Sequence, residues 1–129
     1  MKVEIILYVK DQARSRDFYC ESLSLEPSMD VPGMTEFDLN DNCKLGLMPV
    51  SSISKILGDK LPHPSSGDGI PRCELYLEVE DVILAFERAM KTGAVIVSPV
   101  SNRDWDYKVG YLCDPDGHVI AFAQKISSL

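Results

Sequence analysis

Two glutamates, Glu4 and Glu74, stand at matching places in two similar stretches of the chain. Each stretch alternates apolar with polar residues and ends at an aspartate, so that Glu4–Asp11 returns as Glu74–Asp81. A repeat at about half the chain length indicates a duplicated structural unit. If the two units pair about a pseudo-two-fold axis, both carboxylates face one cavity. Carboxylates placed in this way bind cations or act as general acids and bases.

The elements of the first half follow from its periodicity. Alternation predicts a strand over residues 3–9, with Val3, Ile5, Leu7 and Val9 on its apolar face. Asp11 is expected to cap a helix that ends near Leu23. Further strands are expected near residues 26–31, 34–40 and 43–48, with turns at 32–33 and 40–42 between them.

The second half repeats this order. A strand near residues 73–79 leads to Asp81, which is expected to cap a helix that ends at Lys91 before Gly93. Strands are expected near residues 95–98, 106–113 and 118–125, the last two joined by the turn at 114–117. Each half therefore predicts a β-α-β-β-β module, and the chain an α+β fold.

The segment between the modules has a different composition. Residues 50–71 are rich in Gly, Pro and Ser, which predicts an exposed linker with one helical turn near residues 49–57. We expect a single domain over residues 1–129, with a first module at about 1–49 and a second at about 72–129.

Composition limits the partners. With 13 basic and 20 acidic residues, the net charge of −7 argues against nucleic acid and is compatible with a neutral or cationic small molecule. No apolar stretch approaches the roughly 18 residues of a membrane span, so no membrane partner is expected. The four cysteines lack a Cys-x-x-Cys pair and no export signal is recognisable, which predicts reduced thiols in the cytoplasm.

Specific motifs give the chain a family resemblance. They are Val9-Lys10-Asp11 with Phe18-Tyr19, Val79-Glu80-Asp81, and the turn Asp114-Pro115-Asp116-Gly117-His118. With the repeat, this pattern resembles the vicinal oxygen chelate superfamily, which includes glyoxalase I, bleomycin-resistance proteins, fosfomycin-resistance enzymes and extradiol dioxygenases. The resemblance implies two βαβββ modules that form an open cup of mixed β-sheet with helices outside.

Strand alternation then assigns residues to the lining of the cup. The inward residues are expected to be Glu4, Ile6, Tyr8, Lys44, Gly46, Met48, Glu74, Tyr76, Glu78, Val119, Ala121 and Ala123. Alternation leaves the strand at 106–113 open, and the resemblance favours Tyr107, Val109 and Tyr111 inside, with Trp105 near the rim. Glu36 and Asp38 are expected to face solvent.

The resemblance also implies four metal-ligand positions, which fall on Glu4, Gly46, Glu74 and Ala121. Only the two glutamates offer a ligand atom, whereas a catalytic zinc normally has three protein ligands. His118 shares the parity of Ile120 and is expected to point away from the cup, and His63 lies in the linker. We therefore expect no cofactor, with Glu4 and Glu74 as weak metal candidates.

These features predict a metal-independent protein that sequesters an aromatic or cationic small molecule, as bleomycin-resistance proteins do. The candidate ligand-binding residues are Glu4, Tyr8, Lys44, Met48, Glu74, Tyr76, Trp105 and Tyr111. The alternative is a glyoxalase-like lyase or isomerase, or a dioxygenase, using a divalent metal held by Glu4, Glu74 and substrate oxygens. A third possibility is a metal-free enzyme with one of these glutamates as general base. A homodimer is expected, because open sheets leave strand edges to cover.

Overall fold

The computed structural model describes residues 1–127, which form two four-stranded mixed β-sheets and three α-helices. The elements are β1 Val3–Val9, α1 Gln12–Leu23, β2 Met29–Val31, β3 Met34–Asn40, β4 Cys43–Pro49, α2 Val50–Leu57, β5 Glu74–Glu78, α3 Val82–Lys91, β6 Val95–Asn102, β7 Tyr107–Cys113 and β8 Val119–Lys125. The order β-α-β-β-β occurs twice. The predicted α+β fold with two such modules is confirmed.

The chain divides into two compact units. The first comprises Met1–Cys20 and Ser24–Ile70, and the second comprises Glu21–Leu23 and the chain from Pro71 onward. The predicted single-domain organisation and the shared cup stay predictions.

The first sheet has the strand order β1-β4-β3-β2, with β1 and β4 parallel and the other pairs antiparallel. Cross-strand partners point to the same face of a sheet. One face carries Leu7, Leu45, Leu47 and Phe37, all buried. The ring of Tyr19 from α1 lies 6.5 Å from that of Phe37, so α1 covers this face.

The second sheet repeats this arrangement as β5-β8-β7-β6, with β5 and β8 parallel. Its helix-covered face buries Leu75, Leu112, Ile120 and Phe122 together with Phe86 of α3. Gly110 of β7 belongs to this face. A Cβ atom there would lie 2.6 Å from the Phe86 ring, so the absent side chain lets α3 approach the sheet closely.

The two main helices begin in the same way. The Asp11 carboxylate accepts a hydrogen bond from Arg14 N at 3.1 Å, and the Asp81 carboxylate accepts one from Leu84 N at 3.0 Å. Both predicted N-caps are therefore confirmed. Gly93 follows α3 with φ +85°, a left-handed conformation that glycine adopts without strain.

Three sequence expectations need correction. Residues 50–57 form an eight-residue helix with Ile53 buried, more than the single predicted turn. Strand β2 begins only at Met29, after Pro27, which has no N–H for a ladder. Strand β6 continues through Pro99 to Asn102, because a sheet edge with register shifts tolerates proline. None of the helices within residues 1–127 combines the length and apolarity that a membrane span needs.

Candidate functional site

Each module presents one sheet face that is not covered by its capped helix. In the first module the cross-strand register places acidic, apolar and basic side chains on this face, which we call the acidic face. Its residues are Glu4, Ile6, Tyr8, Glu36, Asp38, Lys44, Gly46 and Met48. A cavity of about 700 Å³ adjoins one end of it and is lined by Glu4, Asp38, Lys44, Lys2 and residues 40–43.

A carboxyl pair forms on the acidic face. The Glu4 carboxyl lies above Gly46, whose cross-strand partner on β3 is Glu36. Glu36 is only 14% exposed, and its Oε1 lies 3.5 Å from Lys44 Nζ. The expectation that Glu36 faces solvent is therefore wrong, because most of its side chain is covered within the sheet face. Asp38, at 61% exposure, does face solvent.

Glu4 has an altered acidity. The pKa of Glu4 is raised above its ordinary value of 4.5, first because its carboxyl loses hydration against the sheet. The hydrogen bond to Glu36 and the Glu36 charge raise this pKa further, and the Lys44 charge opposes them. The folded protein therefore favours a protonated Glu4 more than the unfolded chain does.

The positions implied for a metal do not make a metal site. A Cβ atom on Gly46 would lie 2.5 Å from Glu4 Oε2, so the Glu4 carboxyl already fills the space above this residue. Ala121 is fully buried in a cluster with Val109 and Ala123. Two of the four positions, Gly46 and Ala121, lack a donor atom. The residues present do not fit the four-ligand centre that the resemblance implies.

Another group of potential ligands lies in the hairpin turn before β8. Asp114, Asp116 and His118 bring one ligand atom each within 4.8 Å of one another. The Asp114 carboxylate accepts hydrogen bonds from the backbone N–H groups of Asp116 at 2.9 Å and His118 at 2.8 Å. These bonds define the turn, so the group has a structural explanation.

The corresponding face of the second module is aromatic. We call it the aromatic face, and its residues are Glu74, Tyr76, Glu78, Trp105, Tyr107, Val109, Tyr111, Val119, Ala121 and Ala123. Trp105 Nε1 donates a hydrogen bond to Tyr76 Oη at 2.9 Å. The Tyr76 and Tyr107 rings meet edge to face, with their centroids 6.3 Å apart. Three aromatic rings thus contact one another in series.

A carboxylate completes this aromatic group. The pKa of Tyr107 is raised, first by a side-chain hydrogen bond to Glu78, then by lost hydration and by the charge of Glu78. Tyr76, Trp105, Tyr107 and Glu78 therefore combine ring faces with a negative charge. This is the chemistry that attracts flat or cationic molecules.

Tyr111 has a different environment. The Arg103 guanidinium lies over its ring, 5.1 Å from the centroid. Arg103 is fixed there because its Nη2 donates to the carbonyl oxygens of Val109 and Pro99 and to Ser98 Oγ, at 2.9, 3.1 and 3.0 Å. One face of the Tyr111 ring is therefore already occupied by a cation of the protein itself.

The structure brings the predicted ligand residues together in two sets. Glu4, Tyr8, Lys44 and Met48 share the acidic face, and Glu74, Tyr76, Trp105 and Tyr111 share the aromatic face. Sequence reasoning missed the partners Glu36 and Arg103. The alternation of β3 could have placed Glu36 on the face with Asp38. Arg103 lies in a connection without periodicity, so no sequence signal identified it.

Comparison with known proteins agrees with the family resemblance and with the two-module fold. The model of the Glyoxalase/Bleomycin resistance protein/Dioxygenase superfamily matches residues 3–122. An uncharacterized protein of Mycobacterium tuberculosis is 28% identical over 123 residues, which cover 93% of this chain and 72% of that protein. A glyoxalase-related enzyme from Fulvimarina pelagi superimposes with a TM-score of 0.83 at 22% identity, covering 97% of this chain and 88% of that one. Lactoylglutathione lyase from Agrobacterium tumefaciens gives a TM-score of 0.70 at 17% identity, with coverages of 96% and 92%. The two structural likenesses show the fold alone.

Proposed function

Because the chain belongs to the glyoxalase/bleomycin resistance protein/dioxygenase superfamily, we propose that it binds a small molecule without a metal ion. The proposed ligand is flat and aromatic or carries a positive charge, and it binds on the aromatic face. Sequestration of such a compound is the proposed activity.

The aromatic group around Tyr76 carries this proposal. Trp105 and Tyr76 are 48% and 42% exposed, although large aromatic rings are usually covered. Their mutual hydrogen bond and the edge-to-face contact of Tyr76 with Tyr107 hold the rings in place before any ligand arrives. A preorganised surface loses little conformational entropy on binding. Ring faces beside a carboxylate favour a cation, whose attraction to each face contributes roughly 0.5–2 kcal/mol.

The metal-dependent alternative lacks such support. A lyase or dioxygenase of this kind would need Glu4 and Glu74 as ligands. The other two implied ligand positions, Gly46 and Ala121, provide no donor atom. The donor set therefore favours binding without a metal over metal-assisted chemistry.

Titration with proflavine, a flat aromatic cation, and with bleomycin tests the proposal. Trp105 is the single tryptophan of the chain, so its fluorescence reports directly on the aromatic face, and calorimetry supplies the affinity. We expect binding that is unchanged by EDTA. Trp105→Ala should weaken it about tenfold or more, which corresponds to about 1.4 kcal/mol. The matched variant Trp105→Phe keeps a ring and should retain most of the affinity.

Two outcomes would contradict the proposal. One is the absence of heat and of a fluorescence change with folded protein for both compounds. The other is binding that disappears in EDTA and returns with added zinc.

The acidic face of the first module is a second candidate ligand-binding surface, taken by itself. Tyr8 lies opposite Met48, and Glu4 lies opposite Lys44. These four residues were predicted as ligand contacts, and Lys44→Ala tests them. A change in ligand affinity of more than about threefold would show that the acidic face binds ligand. An unchanged affinity would restrict binding to the aromatic face.

We further propose a cytoplasmic homodimer. Strand β6 is an edge of the second sheet and exposes Val95, Ile96 and Val97, a surface that a second copy can cover. Cys20, Cys43, Cys73 and Cys113 are all free thiols, in keeping with a reducing compartment. Light scattering at micromolar concentration should give twice the chain mass, and a monomer would contradict the dimer.

A further inference from the structure

Arg103 brings a positive charge to the aromatic face of the second module. Its guanidinium lies over the Tyr111 ring, 5.1 Å from the centroid. Its Nε and Nη2 atoms donate to the carbonyl oxygens of Val109 and Pro99 and to Ser98 Oγ, at 2.9 to 3.2 Å. All of these acceptors are neutral oxygens. Within the part of the chain that the structure describes, no carboxylate forms an ion pair with this guanidinium.

The irregular edge strand β6 explains why Arg103 is held in this position. The pairing of β6 with β7 shifts register between Ser98 and Ser101, and Pro99 in this stretch has no N–H to donate. The carbonyl of Val109, whose partner on β6 is Ser101, accepts hydrogen bonds from Nε and Nη2 of Arg103. The guanidinium is therefore fixed to the sheet, so it loses little conformational freedom when it binds a further group.

The guanidinium keeps part of its hydrogen-bonding capacity. Arginine has five N–H donors, and the two on Nη1 of Arg103 meet no acceptor within residues 1–127. Every buried side-chain nitrogen and oxygen in these residues has a partner, so Nη1 is accessible from outside. A guanidinium that offers accessible N–H groups and has no paired carboxylate is suited to bind an acid group.

The other charged groups of the aromatic face lie away from Tyr111. Glu74 and Glu78 are on β5, which is separated from β7 by two strand spacings, about 10 Å. Lys125 is exposed on β8 opposite Tyr107, which is four residues or about 13 Å along β7 from Tyr111. The face is therefore negative along β5, whereas a fixed positive charge stands over Tyr111.

The turn after β6 connects Arg103 to the exposed aromatic rings. Arg103 N donates to Tyr107 O at 2.8 Å, and Arg103 O accepts from Asp106 N at 3.3 Å. Trp105 lies inside this turn, two residues after Arg103, and donates to Tyr76 Oη. A ring stacked on Trp105 and Tyr76 can thus carry a substituent toward the guanidinium. Asp104 and Asp106 of the same turn are exposed to solvent.

We propose that Arg103 Nη1 binds an acid group of the ligand, so that the aromatic face selects a flat aromatic carboxylic acid. This inference rests on the proposed function, because the ligand ring stacks on Trp105 and Tyr76. Arg103 then determines specificity, since it distinguishes an aromatic acid from a neutral compound of the same shape. A positively charged group on the same ligand fits at the opposite edge of the face, beside Glu78.

Calorimetric titration with 2-naphthoate and 2-naphthamide tests this selection. The two compounds share a ring and a shape and differ in charge. The wild type should bind the carboxylate about tenfold more tightly than the amide, as expected for a hydrogen bond to a charged group. Arg103→Gln should reduce this preference to less than twofold. The matched control Lys125→Gln removes a positive charge from the same face and should keep the preference.

A readout in the wild type keeps the test decisive if Arg103→Gln does not fold, which circular dichroism determines. The nitrogen-15 guanidinium signal of Arg103 should shift with 2-naphthoate and stay in place with 2-naphthamide. Proflavine, titrated in parallel, separates this inference from the proposed function. Equal affinities for the two naphthyl compounds, with proflavine bound, would overturn the role of Arg103 alone. A preference that persists in folded Arg103→Gln would do the same. Absence of binding for all three compounds would contradict the proposed function and this inference together.

Discussion

The two modules have the same framework but differ in the sheet face that the capped helix leaves uncovered. This open face is the acidic face in the first module and the aromatic face in the second. In the framework, Asp11 and Asp81 cap their helices through the same backbone bond, and the partners Ile6 with Gly46 recur as Tyr76 with Ala121. The first open face holds a carboxyl pair, whereas the second holds three contacting aromatic rings.

The difference shows where chemistry enters a duplicated fold. Caps and helix-facing residues are under the same packing demands in both modules, so they remain similar. The sheet face that the capped helix leaves uncovered differs between the modules, and single residues decide which side chains it holds. Gly46 leaves room for Glu4, while the methyl group of Ala121 is buried with Val109. Function therefore has to be argued from the faces and not from the fold.

The largest predicted effect is the loss of stability on truncating a buried ring on the helix-covered face of either sheet. The loss should be the same in both modules. Phe37→Ala in the first module and Phe122→Ala in the second each remove a fully buried ring. Each should lower the free energy of unfolding by about 3–5 kcal/mol, measured by urea denaturation. Phe→Leu at the same positions serves as the control, with a smaller loss. A loss below about 1 kcal/mol at one site would break the equivalence.

The two strand glycines should differ, because their neighbours differ in flexibility. A Cβ atom on Gly110 meets the packed Phe86 ring at 2.6 Å and Val100 at 2.7 Å, whereas one on Gly46 meets the flexible end of Glu4. Gly110→Ala should therefore lower the free energy of unfolding by about 1–3 kcal/mol. Gly46→Ala should cost less than half of that loss in the same denaturation experiment. Equal losses would show that the Glu4 carboxyl is held as rigidly as the core.

The helix caps should again be equivalent, with a smaller effect. Asp11→Ala and Asp81→Ala each remove the acceptor of one backbone N–H. Thermal unfolding should show a loss of about 1 kcal/mol for each. Asp→Asn keeps an acceptor and should recover most of the stability. If neither alanine variant is destabilised, water satisfies these N–H groups and the caps are dispensable.

The smallest predicted effect is on the pH dependence of stability. The two faces of the first sheet should contribute to it with opposite signs. The pKa of Asp30 is lowered from 3.8, first by the hydrogen bond from Thr35. Ionised Asp30 therefore stabilises the folded protein above pH 3.8, and this contribution is lost as the pH falls. The pKa of Glu4 is raised from 4.5. Protonated Glu4 therefore stabilises the folded protein below pH 4.5, and this contribution is lost as the pH rises.

Stability measured across pH 2–8 checks these signs. Asp30→Asn should approach wild-type stability as the solution becomes more acidic. Glu4→Gln should gain on the wild type as pH rises above 4.5. A difference that runs in the reverse direction for either variant would contradict the corresponding assignment.

Periodicity was sufficient to predict the framework. Alternation located β1 and β5, and aspartate followed by a helical pattern located both caps, because these signals are local. The predicted ends of two strands were wrong, those of the short strand β2 and of the irregular edge strand β6. Whether a strand tolerates a proline or a register shift depends on its neighbouring strands, which the local sequence does not show. The helix α2 was underestimated because Ser-rich segments have weak propensity, and burial of Ile53 compensates.

The open faces were only partly predictable. Strand parity assigned Glu4, Lys44 and Tyr76 to the correct sides of their sheets. The Glu4–Glu36 pair could not be predicted, because it depends on the rotamer of a long side chain and on the register of β3 with β4. The stacking of Arg103 on Tyr111 could not be predicted either, because this loop residue reaches the sheet only through its tertiary hydrogen bonds.

The central claim is that the aromatic face binds a ligand without a metal, and one measurement tests it most directly. Nitrogen-15 NMR spectra of the labelled protein, recorded with EDTA during titration with proflavine, locate the bound ligand residue by residue. The account predicts that the strongest shifts fall on Tyr76, Glu78, Trp105 and Tyr107. Shifts that are absent from these residues, or that appear only after zinc replaces the chelator, would contradict it.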